Sequence, residues 1–374
     1  MSEQRTFAGL AWDGKGKVTR REQFLAEMDA VVPWKRLLKL IEPHYPKWEG
    51  VGRKPMGLEL MLRIYFVQQW FDLSDPAAED AIYDSESIRR FVGVELGEDR
   101  VPDESTILRF RHLLEEHELT EAIFAEVRSL LEEKRLLLKA GTIVDATIIH
   151  APSSTKNERG ERDPEMRQTK KGNQWYFGMK VHVGTDKRGV THSLEVTDAA
   201  QADIGQLPHL LHGSERELYG DKAYWKEDDR QAFTDSGVRY RVNRRGTSKR
   251  PLSERWRQIN RSRSRVRARG EHSFHVVKRL WGFNKVRYRG LAKNRALWVP
   301  VFLGRCFRIF WAGGRRVELS DFWLFPPVVG GGGCGSWSRV AGCGGRVRGR
   351  GRGWLRRGRD HGGRDPRQQA ACWW

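Results

Sequence analysis

Apolar residues recur at helical spacing through the first 138 positions, broken by turn and cap signals. Thr19 and Glu22 have capping-box spacing ahead of F-L-A-E-M-D-A-V-V. Pro33 interrupts the pattern, and W-K-R-L-L-K-L-I-E resumes it as far as Pro43. Leu58, Met61, Leu62, Tyr65 and Gln69 form the next stripe. Ser74 and Asp75 before Pro76 mark another helix start, as does Asp103 before E-S-T-I-L-R-F-R-H-L-L. Thr120 precedes the last stripe of this part, Ile123, Val127, Leu130 and Leu131. An all-α segment over residues 1–138 is predicted, with Arg109, Arg111 and His112 on an exposed face.

At Gly141 the period changes. G-T-I-V-D-A-T-I-I-H reads as a buried strand with Asp145 in its middle, although Asp is depleted in strands and costly to bury unpaired. Residues 151–172 are too polar to pack and read as a charged loop. W-Y-F-G-M-K-V-H-V-G-T-D and T-H-S-L-E-V-T-D read as a hairpin about Lys187 to Gly189. A helix from about Ile204 to His212, a short strand ending at Asp221, a helix W-K-E-D-D-R-Q-A-F and a strand G-V-R-Y-R-V-N follow. The order β-β-β-α-β-α-β-α predicts an α/β fold with a mixed five-stranded sheet and flanking helices. In the ribonuclease H arrangement the first and fourth of these strands are neighbours, which would bring Asp145 and Asp221 to one edge. We therefore expect a helical domain over 1–138, a ribonuclease H-like domain over 139–312 and a Gly/Arg-rich disordered tail over 313–374.

Charge narrows the partner. The net charge is +20 and the pI about 10.1, which predicts a polyanion, nucleic acid before membrane. The tail carries 12 Lys or Arg against four acids, so the body is basic without it. Cys306, Cys334, Cys343 and Cys372 lack zinc-like spacing. M-S-E-Q-R-T begins no secretory signal, and the longest apolar run, A-L-W-V-P-V-F-L-G, is too short to span a bilayer. The expected location is cytoplasmic, associated with the nucleoid. The helix-rich start, with Arg109, Arg111 and His112 exposed, reads either as a helix-turn-helix-like DNA reader or as a plain bundle with a solvated basic face.

Between Ser236 and Arg295 there are 20 Lys or Arg and two acids, Glu254 and Glu271. On a helix, Arg267, Glu271, His275 and Lys278 share an arc of roughly 80°, while Val266, Ser273, Val277 and Leu280 lie opposite. Glu271 is then either one half of an i,i+4 ion pair with Arg267 or a metal ligand among phosphate-binding neighbours. Three converging oxygen donors, Asp145, Asp221 and Glu271, suit two Mg²⁺ ions, with Mn²⁺ as a substitute. Such an ion pair supports in-line phosphoryl displacement with water or a DNA 3′-hydroxyl as nucleophile. Arg267 and Lys278 would clamp phosphates. His275 and His150 read as phosphate or outer contacts rather than ligands.

These residues resemble a known family. Arg267, Glu271 and Lys278 match the Y-x-x-R-x-x-x-E-x-x-x-x-x-x-K signature of DDE transposases from bacterial insertion sequences, with Ser264 in place of the tyrosine. I-V-D-A-T-I-I, F-G-M-K-V-H-V-G-T-D, Y-G-D-K-A-Y and E-H-S-F-H-V-V-K-R are similar to blocks of the insertion sequence 5 family, and S-D-P-A-A-E-D-A-I-Y-D-S-E-S-I-R-R-F resembles its helical N-terminal domain. The resemblance runs over roughly residues 15–300. It implies a catalytic and metal-binding triad of Asp145, Asp221 and Glu271. It also implies a transposase that cuts DNA at terminal inverted repeats, joins the 3′ ends to target DNA and acts as a homodimer in a synaptic complex. Candidate DNA contacts are Arg267, Lys278, His275, Lys180, Lys222, Arg109 and Arg111. A nuclease without end specificity and a product that only binds DNA are the alternatives. Past residue 296 the resemblance fades, and the glycine-rich end reads either as a nucleic-acid-binding arm or as frame-shifted sequence.

Overall fold

The computed structural model describes residues 12, 14–50, 52–158, 160–247 and 249–312. The expectations for the tail over 313–374 lie outside the described residues.

Among the described residues, seven α-helices precede the sheet: α1 (Arg20–Val31), α2 (Trp34–Ile41), α3 (Leu58–Phe71), α4 (Asp75–Asp84), α5 (Glu86–Val92), α6 (Glu104–Glu116) and α7 (Leu119–Glu133). Their starts follow the cap chemistry. The Glu22 amide donates to the Thr19 hydroxyl at 3.2 Å while the Glu22 carboxylate accepts from the Thr19 amide. Ser74 accepts from the Ala77 amide and Asp103 from the Thr106 amide at 2.7 Å. The last start differs from expectation: α7 begins at Leu119 behind Glu118, which sits at φ 51, and Thr120 is buried inside it. α3 carries no mere stripe. Met61, Leu62, Ile64, Tyr65, Phe66, Val67 and Trp70 are all buried, so from Ile64 to Trp70 the helix is enclosed, and only its first turns, at Glu59, meet solvent.

A six-stranded sheet follows: β1 (Gly141–His150), β2 (Arg167–Lys171), β3 (Gln174–Asp186), β4 (Thr191–Asp198), β5 (Glu217–Tyr219) and β6 (Arg239–Tyr240). β1 runs antiparallel to β3, β3 antiparallel to β4, and β5 and β6 parallel to β1. The order β4-β3-β1-β5-β6 is the ribonuclease H-like arrangement, with β2 added beside the first half of β3. The β6 ladder is continued by the Arg241 amide on Leu218 O and the Asn243 amide on Gly220 O.

The sixth strand corrects the loop expected over residues 151–172. β2 reads R-Q-T-K-K, polar on both faces, because it is an edge strand stabilised by main-chain bonds to β3 rather than by burial. Its two-residue turn, Gly172 and Asn173, is opened by glycine at φ 64, a conformation that L side chains resist. The remaining segment is tied down by capping the last helix: Asp163 accepts from the Gly290 amide and Glu165 from the Leu291 amide, each at 2.7 Å.

Three further helices lie outside the sheet order: α8 (Leu207–Leu210), α9 (Glu227–Asp235) and α10 (Glu254–His275). A π turn, Val276–Leu280, continues α10, so the regular helix expected through Lys278 ends at His275. The final helix α11 (Leu291–Ala312) packs Leu297, Trp298, Val301 and Phe302 into one hydrophobic core shared by the bundle and the sheet. Arg295 on α11 bridges Glu121 of α7 and Glu195 of β4. No helix among the described residues is long and apolar enough to cross a membrane.

Candidate active site

Strand register brings the two aspartates together. β1 and β5 are parallel and pair Ile143 with Tyr219. Asp145 and Asp221 each lie two residues beyond that pair, at the same level on neighbouring segments. Period-2 alternation puts Asp145 on the face of Ile143, while Val144 turns to the opposite face among Leu207, Leu210, Leu218 and Tyr224. The Asp221 carboxylate caps a one-turn helix, accepting from the Ala223 amide at 2.7 Å. Gly220 before it is pressed close: a Cβ there would lie 3.2 Å from both Tyr224 Cβ and Val144 Cγ2.

The third acid arrives on α10, which crosses the Ile143 face of the sheet. Gly270 makes that close approach possible, since a Cβ would stand 2.8 Å from Ile143 Cγ2 and 3.2 Å from Thr185 Oγ1. The next residue, Glu271, has a side chain 54% exposed and accepts from Arg267 Nη2 at 2.9 Å. The same guanidinium nitrogen lies 3.9 Å from Asp145 Oδ1. Arg267 is 11% exposed, and its Nε is buried with no hydrogen-bond partner among the described residues. The ion pair that the sequence allowed for Glu271 is therefore present, and it spans two of the three candidate ligands.

Asp145, Asp221 and Glu271 line one open cavity of about 450 Å³ with Lys170, Lys171, Lys180, Asp203, Tyr224 and Arg267. Burial pushes the Asp145 carboxyl up to about 7; Arg267 opposes the shift, and Glu271 and Asp221 add to it. Among the described residues no three His, Cys, Asp or Glu side chains stand close enough together to hold a metal ion as they are. The donors themselves are all carboxylates, the type that hard divalent cations take. The burial that drives Asp145 to keep its proton near neutral pH, with the two nearby carboxylates adding to it, is what a bound cation would offset.

The candidate basic contacts fall into different settings. Lys180 lines the cavity and is held by Asp203 at 2.9 Å and by Gln201 O at 2.6 Å. Lys222 is exposed beside Asp221. His275 is exposed and stacks on His272 with ring centres 5.9 Å apart. The π turn directs Lys278 beneath β1, where it donates to Ile148 O at 2.7 Å and burial lowers its pKa to about 8. Arg109 is exposed and borders a cavity with Arg53, Lys54 and Arg100. The expected exposure of Arg111 does not hold. It is buried, bound to Asp75 at 2.8 Å and Glu115 at 3.3 Å, and lies over the Tyr288 ring.

Three charged residues of the cavity, and the glycine beside Glu271, escape the sequence reading. Lys170 and Lys171 lie in the segment taken for a loop, though Gly172-Asn173 is a hairpin signal. Gly270 announces itself as a glycine inside a helix directly before a lone acid, a placement that costs about 1 kcal/mol against Ala. Asp203 carries no local signal; only the fold brings it to the cavity.

A ribonuclease H-like sheet beside a helical bundle, with four carboxylates, three lysines and Arg267 around one cavity, defines an α/β protein with the lining of a phosphate-handling site. Residues 13–113 match the family described as transposase domain (DUF772), and residues 137–306 match the transposase DDE domain. Between them the two matches take in most of the chain, and the chain belongs to the DDE transposases. It is also similar in structure to a piggyBac transposase synaptic complex with hairpin DNA, at 9% identity and a TM-score of 0.41, covering 80% of this chain and 76% of that one. A Mos1 strand transfer complex aligns at 12% identity and a TM-score of 0.21, covering 81% and 100%.

Proposed function

We propose that this transposase cuts DNA at the ends of the element that encodes it and joins the freed 3′ ends to target DNA. Asp145, Asp221 and Glu271 are the catalytic acids of this reading, and they hold Mg²⁺, for which Mn²⁺ substitutes. The observation that carries the proposal is the shared level of Asp145 and Asp221 across the β1–β5 register, with Glu271 brought over them by Gly270. The bound ions would neutralise charge on the attacking and leaving oxygens of an in-line displacement.

The chain's own groups do the rest. Water serves as the nucleophile for cutting and a DNA 3′-hydroxyl for joining, so no side chain becomes covalently attached. Arg267 offers a planar fork whose partnerless Nε suits a phosphate oxygen. Lys170, Lys171 and Lys180 give the cavity rim a positive potential that draws the DNA backbone in. Lys222 and Arg109 extend the contact outward. Handling two ends at once calls for two copies of the chain.

Purified full-length chain is to be incubated with end-bearing duplex and Mg²⁺ or Mn²⁺. Nicking and joining are expected from the native sequence. Asp145→Asn should lower both by about 10³-fold, the loss of several kcal/mol of transition-state stabilisation, while DNA affinity survives. Equal cutting of end-bearing and random duplex would favour a nuclease without end specificity. No metal-dependent turnover with either substrate would sink the catalytic reading.

A further inference from the structure

A buried hydrogen-bonding group without a partner is costly, so a folded chain keeps few of them. Among the described residues, two such side-chain atoms belong to the lining of the cavity that holds Asp145, Asp221 and Glu271: Arg267 Nε and the Tyr224 hydroxyl. Tyr224 is 1% exposed, and its ring packs with Val144, Leu207, Leu210 and Leu218. Its main chain is fixed on both sides. The Tyr224 amide donates to Asp221 O at 3.2 Å, closing the one-turn helix that follows that acid, and the Tyr224 carbonyl accepts from the Tyr240 hydroxyl at 2.5 Å. The Tyr219 hydroxyl is engaged as well, donating to Glu217 at 3.1 Å. Of these three phenols, the one that lines the cavity is the one left without a partner.

The surrounding charges say what this hydroxyl offers. Burial, then the carboxylates of Asp203, Asp145 and Asp221, hold its pKa well above the ordinary tyrosine value, with Arg267 opposing them. It therefore stays protonated and has a hydrogen to donate. The three carboxylates already have donors: Asp145 the Ala146 amide at 3.0 Å, Asp221 the Ala223 amide at 2.7 Å and Asp203 the Lys180 ammonium at 2.9 Å. A DNA phosphate brings two non-bridging oxygens, both acceptors, to a lining that keeps two buried donors unused. We propose that Tyr224 donates to one non-bridging oxygen of the phosphate held in the cavity, and Arg267 Nε to the other. Tyr224 touches substrate in this account and is a catalytic residue. A donor fixed by packing stabilises charge on that oxygen during the displacement without having to reorganise. The inference rests on the reading of the cavity as a DNA-cutting site.

The test is a cycle between the hydroxyl and the oxygen. Tyr224→Phe removes the hydroxyl and keeps the ring. End-bearing duplexes carry a methylphosphonate at each phosphate near the end in turn, as separate diastereomers, so that a methyl group replaces one non-bridging oxygen. Affinity for the full-length chain is read with Ca²⁺ in place of Mg²⁺, which keeps binding apart from cutting. Tyr224→Phe should bind the unmodified duplex about 10-fold more weakly and, with Mg²⁺, cut it about 10- to 100-fold more slowly. One diastereomer at one position should bind native and Tyr224→Phe chains equally, because the contact is already missing. Without DNA, Tyr224→Phe should melt no lower than native chain, since the hydroxyl it lacks had no partner to lose. Losses that simply add at every position overturn the proposal, as does unchanged cutting by Tyr224→Phe. A variant that melts well below native also overturns it, since the hydroxyl would then be bonded within the fold. Coupling at one phosphate in a chain that cuts nothing overturns the catalytic reading and leaves the phosphate contact standing.

Discussion

The helices α3 and α10 use their residues for opposite ends. α3 is buried at every position from Ile64 to Trp70, and only its first turns meet solvent, at Glu59. α10 is eight residues longer and buries only Gly270, Ser273 and Phe274, all in its last turns. Its earlier turns expose arginine after arginine. Arg244 reaches back between the rings of Trp225 and Trp256, and Asn260 exchanges hydrogen bonds with the Arg244 backbone. One helix is kept by what it excludes from water. The other is anchored at one end so that a charged, polar surface and one carboxylate stay available. The stability of the fold and the chemistry proposed for it are therefore written on different helices.

That separation predicts two substitutions with crossed outcomes. Glu271→Gln keeps the shape of the side chain and removes only the charge. Its ion pair with Arg267 is worth a few tenths of a kcal/mol, so thermal unfolding should move little. Metal-dependent cutting should fall by about 10³-fold. Phe66→Ala empties a wholly buried site in α3 and should cost about 3–5 kcal/mol of stability, while the protein that remains folded keeps its turnover number. Denaturation midpoints and single-turnover rates on the same preparations check both. A large stability loss from Glu271→Gln would break the comparison, because the acid would then be structural.

Much of this division was legible in the chain. Cap residues and apolar period gave α1, α3, α4 and α6, a buried apolar run gave β1, and alternation with a turn signal gave the β3–β4 hairpin. The lone acid in a basic segment pointed to Glu271. What stayed hidden was set by tertiary geometry. β2 has no apolar alternation because its partner supplies main-chain bonds and nothing buries it. Lys278 leaves the helical arc because a π turn intervenes after His275, a change that side-chain identity does not announce. Asp203 enters the cavity from a turn that the sequence gives no reason to bring there.

A second prediction sharpens the electrostatic side of the comparison. Folding raises the Asp145 carboxyl from the ordinary carboxylate range to about 7. Between those two values the folded chain holds a proton that the unfolded chain has lost. Stability of the metal-free protein should therefore fall as pH rises from about 4 to about 7 and level off above. A divalent cation competes for the same oxygens, so its apparent affinity should rise up to tenfold per pH unit below 7 and reach a plateau above it. Mg²⁺ titrations followed by thermal shift at several pH values read both trends. Asp145→Asn should flatten the two together. Trends that persist in that variant would place the titrating group elsewhere.

The smallest expected effect separates two arginines that stand two positions apart on α6. Arg111 lies inside the bundle between Asp75 and Glu115, so its removal would leave two partly buried carboxylates without their cation. Arg109 faces water beside Arg53, Lys54 and Arg100. Arg109→Ala should leave the unfolding midpoint within about 0.5 kcal/mol of native. It should weaken DNA binding a few-fold, equally for end-bearing and random duplex, and reduce the slope of log affinity against log salt by about one. Loss confined to end-bearing duplex would instead make Arg109 a reader of base sequence. An unchanged salt slope would remove this face of α6 from the DNA contact and leave binding to the basic side of α10 and the hairpin.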